Sequence, residues 1–314
     1  MGLLQALIVI FLVTSSASCQ FQLENQKSFD VTEPGGSVRV FYPQDIPPTF
    51  EPELRAYVQM ATDAVTGYVG RFPVALVEVR ARIFHGSGIR RGRTFGKSPD
   101  PTNPACMILI SIGDQTSHQD LMDDWMLTHE MLHLAFPNMP DDKHWAEEGL
   151  STYAEPIARV RVGNLQPERI WGDMVRDMHK GEPADADNGL DHTHTHDRTY
   201  WGGALFYMMA DVEIRKKSHN KKGLEDALRG ILSKGGNITQ DWSIENTFHA
   251  GDKATHTHVL MDLYKIMKDE PSSVDLAILW SQLGIIEENG TIRFNDKAPL
   301  ANVRRTIETG KRVR

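Results

Sequence analysis

Hydrophobic and polar positions follow two different periods along this chain. Over residues 50–72 the apolar positions Leu54, Val58, Ala61, Val65 and Val69 recur at helical spacing, which predicts a helix. Over 75–84, Leu76, Val77, Val79, Ala81 and Ile83 sit against Glu78, Arg80 and Arg82, the period of two of a half-buried strand. A shorter strand is predicted at 38–42, stopped by Pro43, inside an otherwise polar lead-in over 20–47. The apolar run 107–112 reads as a further strand, ended by Gly113 and Asp114. Between these strands, 85–105 is rich in Gly, Pro and Arg and reads as a loop. The second half reads helical, with helices predicted over 119–135, 145–161, 200–216, 223–232 and 258–267. A long polar loop at about 178–198 separates two of them. Asn289-Gly290 is a hairpin signal between strands at 283–286 and 291–294. Strands first and helices afterwards predict an α+β fold. The division expected is a sheet lobe over 19–136 and a helical lobe over 137–314.

Composition narrows the function only slightly. The 314 residues are 40% hydrophobic and 24% charged, an ordinary globular balance that needs no disulfide scaffold. The net charge of −8 argues against a general nucleic-acid binder, which would carry a basic footprint. Residues 3–13 are apolar apart from Gln5, with small residues from Thr14 to Ser18. That run is shorter than the roughly 20 residues of a membrane span and reads as a signal peptide over 1–18. Ser16 and Ser18 suit cleavage before Cys19, and a small residue before cysteine resembles a bacterial lipoprotein box. Export is therefore expected, to a periplasmic or extracellular location, with a lipid anchor at Cys19 as the sole membrane attachment considered. Cys106 is the other of the two cysteines; beside an apolar run it reads as a buried structural thiol.

The chemistry is concentrated at His129-Glu130-Met131-Leu132-His133, an H-E-x-x-H sequence. On a helix, residues four apart share a face, so both imidazoles can reach one metal ion. Zinc accepts two histidine nitrogens and then needs a third ligand. Glu130, one step around the helix, can meet a water at the ion without ligating it. Apolar flanks (Leu121, Trp125, Met126, Leu132, Leu134, Phe136) support burial of the helix, and Pro137 and Pro140 stop it. The extension H-E-x-x-H-x-x-G-x-x-H fails, because Phe136 and Met139 stand where it needs Gly and His. The other route is a Glu from the next helix. Glu148 follows His133 after 14 residues, with a proline-rich turn between that can return the chain. Glu148, Thr152 and Glu155 share one helical face. Glu148 can ligate, and Glu155 can orient a ligating histidine through its other ring nitrogen. Glu147 reads as a solvated neighbour. His144 can line the cleft, either supporting the ligands or touching substrate.

In these features the chain resembles the gluzincins, and among them the glycyl and membrane alanyl aminopeptidases. Those families follow H-E-x-x-H with Trp-x-x-Glu-Gly-x-x-x-Tyr, matched here by Trp145, Glu148, Gly149 and Tyr153. They then carry Tyr-x-Lys-Gly opening a helix, matched by Tyr200 and Gly203 of Tyr200-Trp201-Gly202-Gly203. The resemblance spans about residues 105–235. It implies a zincin-like domain, with a small mixed sheet packed on the H-E-x-x-H helix and a mainly helical lobe after it. It implies one Zn2+ held by His129, His133 and Glu148, with Glu130 as general base and Tyr200 as oxyanion donor. Without the resemblance, Tyr200 reads as a core aromatic at a helix start. The implied activity is peptide-bond hydrolysis by a zinc-activated water, with a peptide or protein as substrate. A non-catalytic protein of the same fold, binding a peptide or polysaccharide, is the competing class.

The departures matter. The gap before Glu148 is shorter than those families usually have, and their Lys is replaced by Gly202. They also place a Glu on a strand upstream of the zinc helix, where it holds the substrate's amino group. This chain has no Glu between Glu78 and Glu130, and the expected strand at 107–112 carries no acid; Asp114 just beyond it is a poor substitute. Aminopeptidase specificity is therefore not carried over, although an aminopeptidase with a different amine anchor stays open. An endopeptidase could align an extended peptide on a strand edge. The tract His192-Thr193-His194-Thr195-His196 reads as a polar loop by the cleft, with metal binding as the alternative. Gly86 to Gly92 has the spacing G-x-G-x-x-x-G with no clear helix after it, so it is not a nucleotide loop. Arg90, Arg91 and Arg93 read as a solvated turn.

Overall fold

The computed structural model describes residues 26–98, 103 and 105–310. The expected signal segment 1–18 and Cys19 lie outside these residues. A hairpin of β1 (Gln26–Glu33) and β2 (Gly36–Pro43) opens the fold, followed by α1 (Phe50–Val69), β3 (Leu76–Phe84), β4 (Ile89–Phe95) and β5 (Cys106–Gly113). The five strands form one mixed sheet in the order β1-β2-β3-β5-β4. β2, β3 and β5 run parallel, and the two edge strands β1 and β4 are antiparallel to their neighbours. One face of the sheet buries Val38, Val40, Val77, Val79, Ile108 and Ile110 in a core shared with Leu54, Val58, Ala61 and Val65 of α1.

Two strands depart from the sequence expectation. β1 was not anticipated, because only Phe29, Val31 and scattered polar residues mark it. β4 lies within the segment expected to be a loop. Its sequence does not alternate, because a bulge between Arg90 and Arg93, with Arg91 at φ 57°, interrupts its pairing with β5. Arg90, Arg91 and Arg93 thus belong to an edge strand rather than a turn.

The remaining elements are helices α2 (His118–Asp123), α3 (Met126–His133), α4 (His144–Arg161), α5 (Pro167–Asp177), α6 (Gly203–Lys217), α7 (Leu224–Ser233), α8 (Ile244–Thr255), α9 (Val259–Met267) and α10 (Leu276–Leu283), then the hairpin β6 (Ile285–Glu288) and β7 (Thr291–Phe294), and α11 (Ala301–Thr309). The hairpin turns at Asn289 and Gly290, whose φ values of 53° and 78° suit the two central positions of a tight hairpin turn. α5, α8, α10 and α11 were not anticipated from the apolar spacing. The α+β expectation holds, with a mixed sheet packed against helices and a helical region after it. No helix among the described residues is long and apolar enough to cross a membrane.

The crossing of α4 over the start of α6 sets the geometry of the cleft. A Cβ built on Gly149 would lie 2.3 Å from the Gly203 Cα, and one on Gly203 would lie 2.3 Å from the Trp145 carbonyl oxygen. Only glycine at both positions allows this approach. Trp145 fixes the same region: it donates from Nε1 to Asp191 (2.9 Å) and packs edge-on to Phe206. Asp191 also accepts from Tyr264 (2.7 Å) and pairs with Lys143 (2.9 Å). Tyr153 donates to the buried Asp211 of α6 at 3.0 Å. Gly149→Ala is expected to lower unfolding free energy by about 1–3 kcal/mol through overpacking, measurable by urea denaturation. Unchanged stability would show that the two helices can separate freely.

Candidate metal centre and active site

The helix expected over 119–135 is broken into α2 and α3, because Asp124 takes an extended conformation with ψ 140°. Its carboxylate accepts from the Met126 N–H (2.8 Å) and from the Tyr57 hydroxyl, while the Leu127 N–H donates to Tyr57 Oη (3.1 Å). These bonds cap the start of α3 with a side chain from α1. α3 is therefore short, buried and fixed in rotation, and its His129 and His133 rings stand 5.1 Å apart.

α4 brings Glu148 to the same point. Glu148 Oε2 lies 2.9 Å from His129 Nε2 and 3.5 Å from His133 Nε2. The three groups present ligand atoms within 4.8 Å of one another, the one such group of three or more among the described residues. A tetrahedral ion with ligand bonds of roughly 2.0–2.1 Å has ligand–ligand edges of about 3.4 Å. The donor set of two neutral imidazoles and one carboxylate, at this spacing, fits zinc.

The electrostatics agree. Burial raises the Glu148 carboxyl, but the three imidazoles of His129, His133 and His144 overcome it and hold the group far below the carboxylate range. Burial lowers His129 below its ordinary value, against the pull of Glu148. Burial also opposes the charge of His133, yet Glu148, Glu130 and Glu147 together raise it. The neighbouring His133 adds to the lowering of His129, since a second positive charge disfavours the imidazolium.

A cleft of about 600 Å³ opens over this cluster, with Glu130, His133, Glu148 and Tyr200 in its wall. Its rim includes Gly92 to Lys97, from β4 and just beyond it, and Asn138, Asp141, Ile238 and Asp241 from the segments between helices. The strand at the cleft is thus β4, not the 107–112 strand, which lies inside the sheet. β4 carries no acid. Asp114 accepts from the Gly86 N–H (3.0 Å) and meets His85, holding the turn before β4.

Tyr200 sits in a π-helical turn, Arg198–Gly202, just before α6. Such turns recur at functional sites because they displace one side chain from the regular helix face. Buried Arg198 holds the turn to the long loop by pairing with Asp187 at 2.7 Å. The Tyr200 ring lies parallel to His129, with centroids 6.2 Å apart, and to His196 on another side at 4.5 Å. Burial and then the neighbouring Glu148 push its hydroxyl well above the usual tyrosine range, so it stays a proton donor at neutral pH.

The structure gathers His129, His133, Glu148, Glu130 and Tyr200 about one cleft. His144 reaches the other oxygen of Glu148 through Nε2 (3.1 Å) and Glu147 through Nδ1 (3.1 Å). Those two carboxylates push its imidazole up to about 10. Glu147 is not a solvated neighbour: it accepts from the Met139 N–H (2.8 Å) and ties the turn to α4. Glu155 is placed differently from the expectation. It lies two turns beyond Glu148, about 10 Å along the axis, and pairs with Arg159 at 2.9 Å instead of a ligating histidine. Burial raises its carboxyl to about 7. His192 pairs with Asp269 (3.0 Å), while His196 stacks on Tyr200, so the histidine tract does not converge on an ion of its own. Cys106 is buried, and burial pushes its thiol up to about 11.

Thr94 and Gly92 escaped sequence reasoning altogether. The Thr94 hydroxyl lies 2.7 Å from Glu130 Oε2 and 2.8 Å from the Glu130 carbonyl oxygen. No sequence signal marks them, because β4 lacks the alternation of a half-buried strand.

No family model and no curated protein matches the chain. Among solved structures, it is similar to an aminopeptidase N family protein from Idiomarina loihiensis, with TM-score 0.55, 12% identity, and coverage of 83% of this chain and 49% of that one. It is also similar to an M1 zinc metallopeptidase from Deinococcus radiodurans, with TM-score 0.50, 12% identity, and coverage of 80% and 53%. A mutant of the latter, described as bound to a Tyr-Ser-Ala substrate, matches equally, with TM-score 0.50 at 12% identity and coverage of 80% and 54%. The chain spans about half the length of these structures. With its mixed sheet, its H-E-x-x-H helix and the following helices, the chain has the fold of the gluzincin aminopeptidases.

Proposed function

We propose that the chain is a zinc-dependent peptidase that hydrolyses peptide bonds in the cleft beneath β4. The observation that carries this is the convergence of His129, His133 and Glu148 within 4.8 Å, with Glu130 and Tyr200 in the wall of the same cleft. His129, His133 and Glu148 would hold the ion. Bound there, zinc supplies Lewis-acid polarisation of a carbonyl and lowers the pKa of water. Glu130 takes a proton from the attacking water and passes it to the leaving amine. Tyr200 donates its hydroxyl hydrogen to the oxygen on which charge develops. His144 keeps Glu148 oriented by holding its second oxygen. β4 is the outermost strand of the sheet on the cleft side, and its outer edge offers backbone groups along which an extended peptide can lie.

β4 carries Arg90, Arg91 and Arg93 and no carboxylate, so this strand does not select a free amino terminus. A second reading, aminopeptidase action, draws on Asp141 and Asp241, carboxylates in the same cleft. N-acetylated and free peptides of one sequence, assayed with metal-replete protein, separate the two readings. Comparable cleavage supports the first; cleavage of free peptides alone supports the second. Tyr200→Phe is expected to lower kcat by about 10²–10³ with little change in stability. Stoichiometric zinc with no turnover of varied peptides would favour a binding protein and overturn the proposal.

A further inference from the structure

We propose that Thr94, with Gly92, positions the Glu130 carboxyl for proton transfer. This rests on the reading of Glu130 as the proton acceptor. Thr94 lies on β4, an edge strand, and its hydroxyl is 2.7 Å from Glu130 Oε2 and 2.8 Å from the Glu130 backbone oxygen. Glu130 is largely buried in the cleft wall, so its protein neighbours set where the carboxyl sits. A hydroxyl both donates and accepts. With Glu130 ionised, Thr94 donates to the carboxylate. With Glu130 holding a proton, the carboxyl donates to Thr94 Oγ1, and Thr94 turns its hydrogen to the backbone oxygen. The carboxyl therefore keeps one partner in one place on both halves of a proton shuttle.

Gly92 completes the cradle from the same strand. A Cβ there would lie 2.6 Å from Glu130 Oε1, 2.7 Å from its Cγ and 2.8 Å from the Met126 Cγ. Any larger residue would push the carboxyl off its position. The bulge between Arg90 and Arg93 accounts for this close approach, since bulges bend a strand and re-aim its residues. Among the described residues, the Thr94 hydroxyl bonds to Glu130 and to none of the three candidate metal ligands.

The test compares Thr94→Val, Thr94→Ser and Gly92→Ala with the wild type, in metal content, kinetics and crystal structure. Valine matches the shape of threonine and favours strands, so Thr94→Val keeps the fold. Its kcat is expected to fall roughly ten- to a hundredfold, the worth of one hydrogen bond to a charged group, with KM within about twofold. Thr94→Ser restores most of the rate. Gly92→Ala repeats the loss by displacing the carboxyl sterically. Zinc content stays at the wild-type level in all three. Crystal structures are expected to find the Glu130 carboxyl moved in Thr94→Val and Gly92→Ala and in place in Thr94→Ser. A Thr94→Val protein with wild-type kcat, or with the carboxyl unmoved, overturns the proposal while leaving the peptidase reading intact. If Glu130→Gln retains full activity, it is the peptidase mechanism that fails, and the proposal falls with it.

Discussion

Glu130→Gln is expected to lower the proposed peptidase kcat by about 10²–10⁴ while zinc binding and the fold are retained. The amide has the size of the carboxylate but no basic oxygen that can take a proton from water and return it to an amine. The metal is expected to remain because Glu130 is not one of the three converging ligand groups. Stability changes little, because the amide oxygen can still accept from Thr94, as the carboxylate does at 2.7 Å. The measurement is steady-state hydrolysis of a peptide beside elemental analysis of the same preparation. Near-normal hydrolysis with zinc bound would refute the proposed proton transfer.

The second large effect is expected at the metal. Glu148→Ala leaves two imidazoles, His129 and His133, to hold an ion that needs a third protein ligand. Zinc is expected to fall from one per chain to a small fraction after dialysis, and peptide hydrolysis with it. The variant also strips His144 of one of its two carboxylate contacts, so the rim of the cleft loosens locally. In the metal-free wild type, neighbouring carboxylates hold His133 above its ordinary value against burial, so the ion competes with a proton there. Zinc affinity is accordingly expected to weaken as pH falls, and calorimetry in buffers of different ionisation enthalpy detects the released proton. Full zinc content in Glu148→Ala would remove Glu148 from the ligand set. Absence of zinc from both proteins, even when it is supplied, would leave the fold with a binding role.

The candidate site was legible to the extent that its residues sit at fixed spacings on helices. His129 and His133 share a face because four residues make about one turn, and no tertiary information is needed for that. Trp145, Gly149 and Tyr153 were legible as members of a motif but not by role. Their roles are packing and anchoring: Trp145 to Asp191, Gly149 against Gly203, Tyr153 to Asp211. Glu155 misled for the same reason that Glu148 did not. Both lie on one helical face, but two turns of rise carry Glu155 past the histidines to Arg159.

The strand next to the chemistry was the least legible element. An edge strand with a bulge needs neither alternation nor a buried face, and β4 is held by hydrogen bonds to β5 that its side chains do not announce. The break between α2 and α3 was hidden in the same way. It depends on Tyr57, distant in sequence, meeting Asp124 and Leu127.

By itself the sequence determined the periodicity of the main helices and central strands, the α+β order, and a histidine pair spaced for one ion. These are local properties, set by backbone repeat and side-chain polarity over a few turns. Only the tertiary structure decided that Glu148 meets both histidines, that Tyr200 turns into the cleft, and that Thr94 and Gly92 enclose Glu130. Each of those depends on the close crossing of α4 and α6 or on the bulged edge of the sheet. Such contacts join residues tens of positions apart, and their distances follow from packing, which no local spacing encodes.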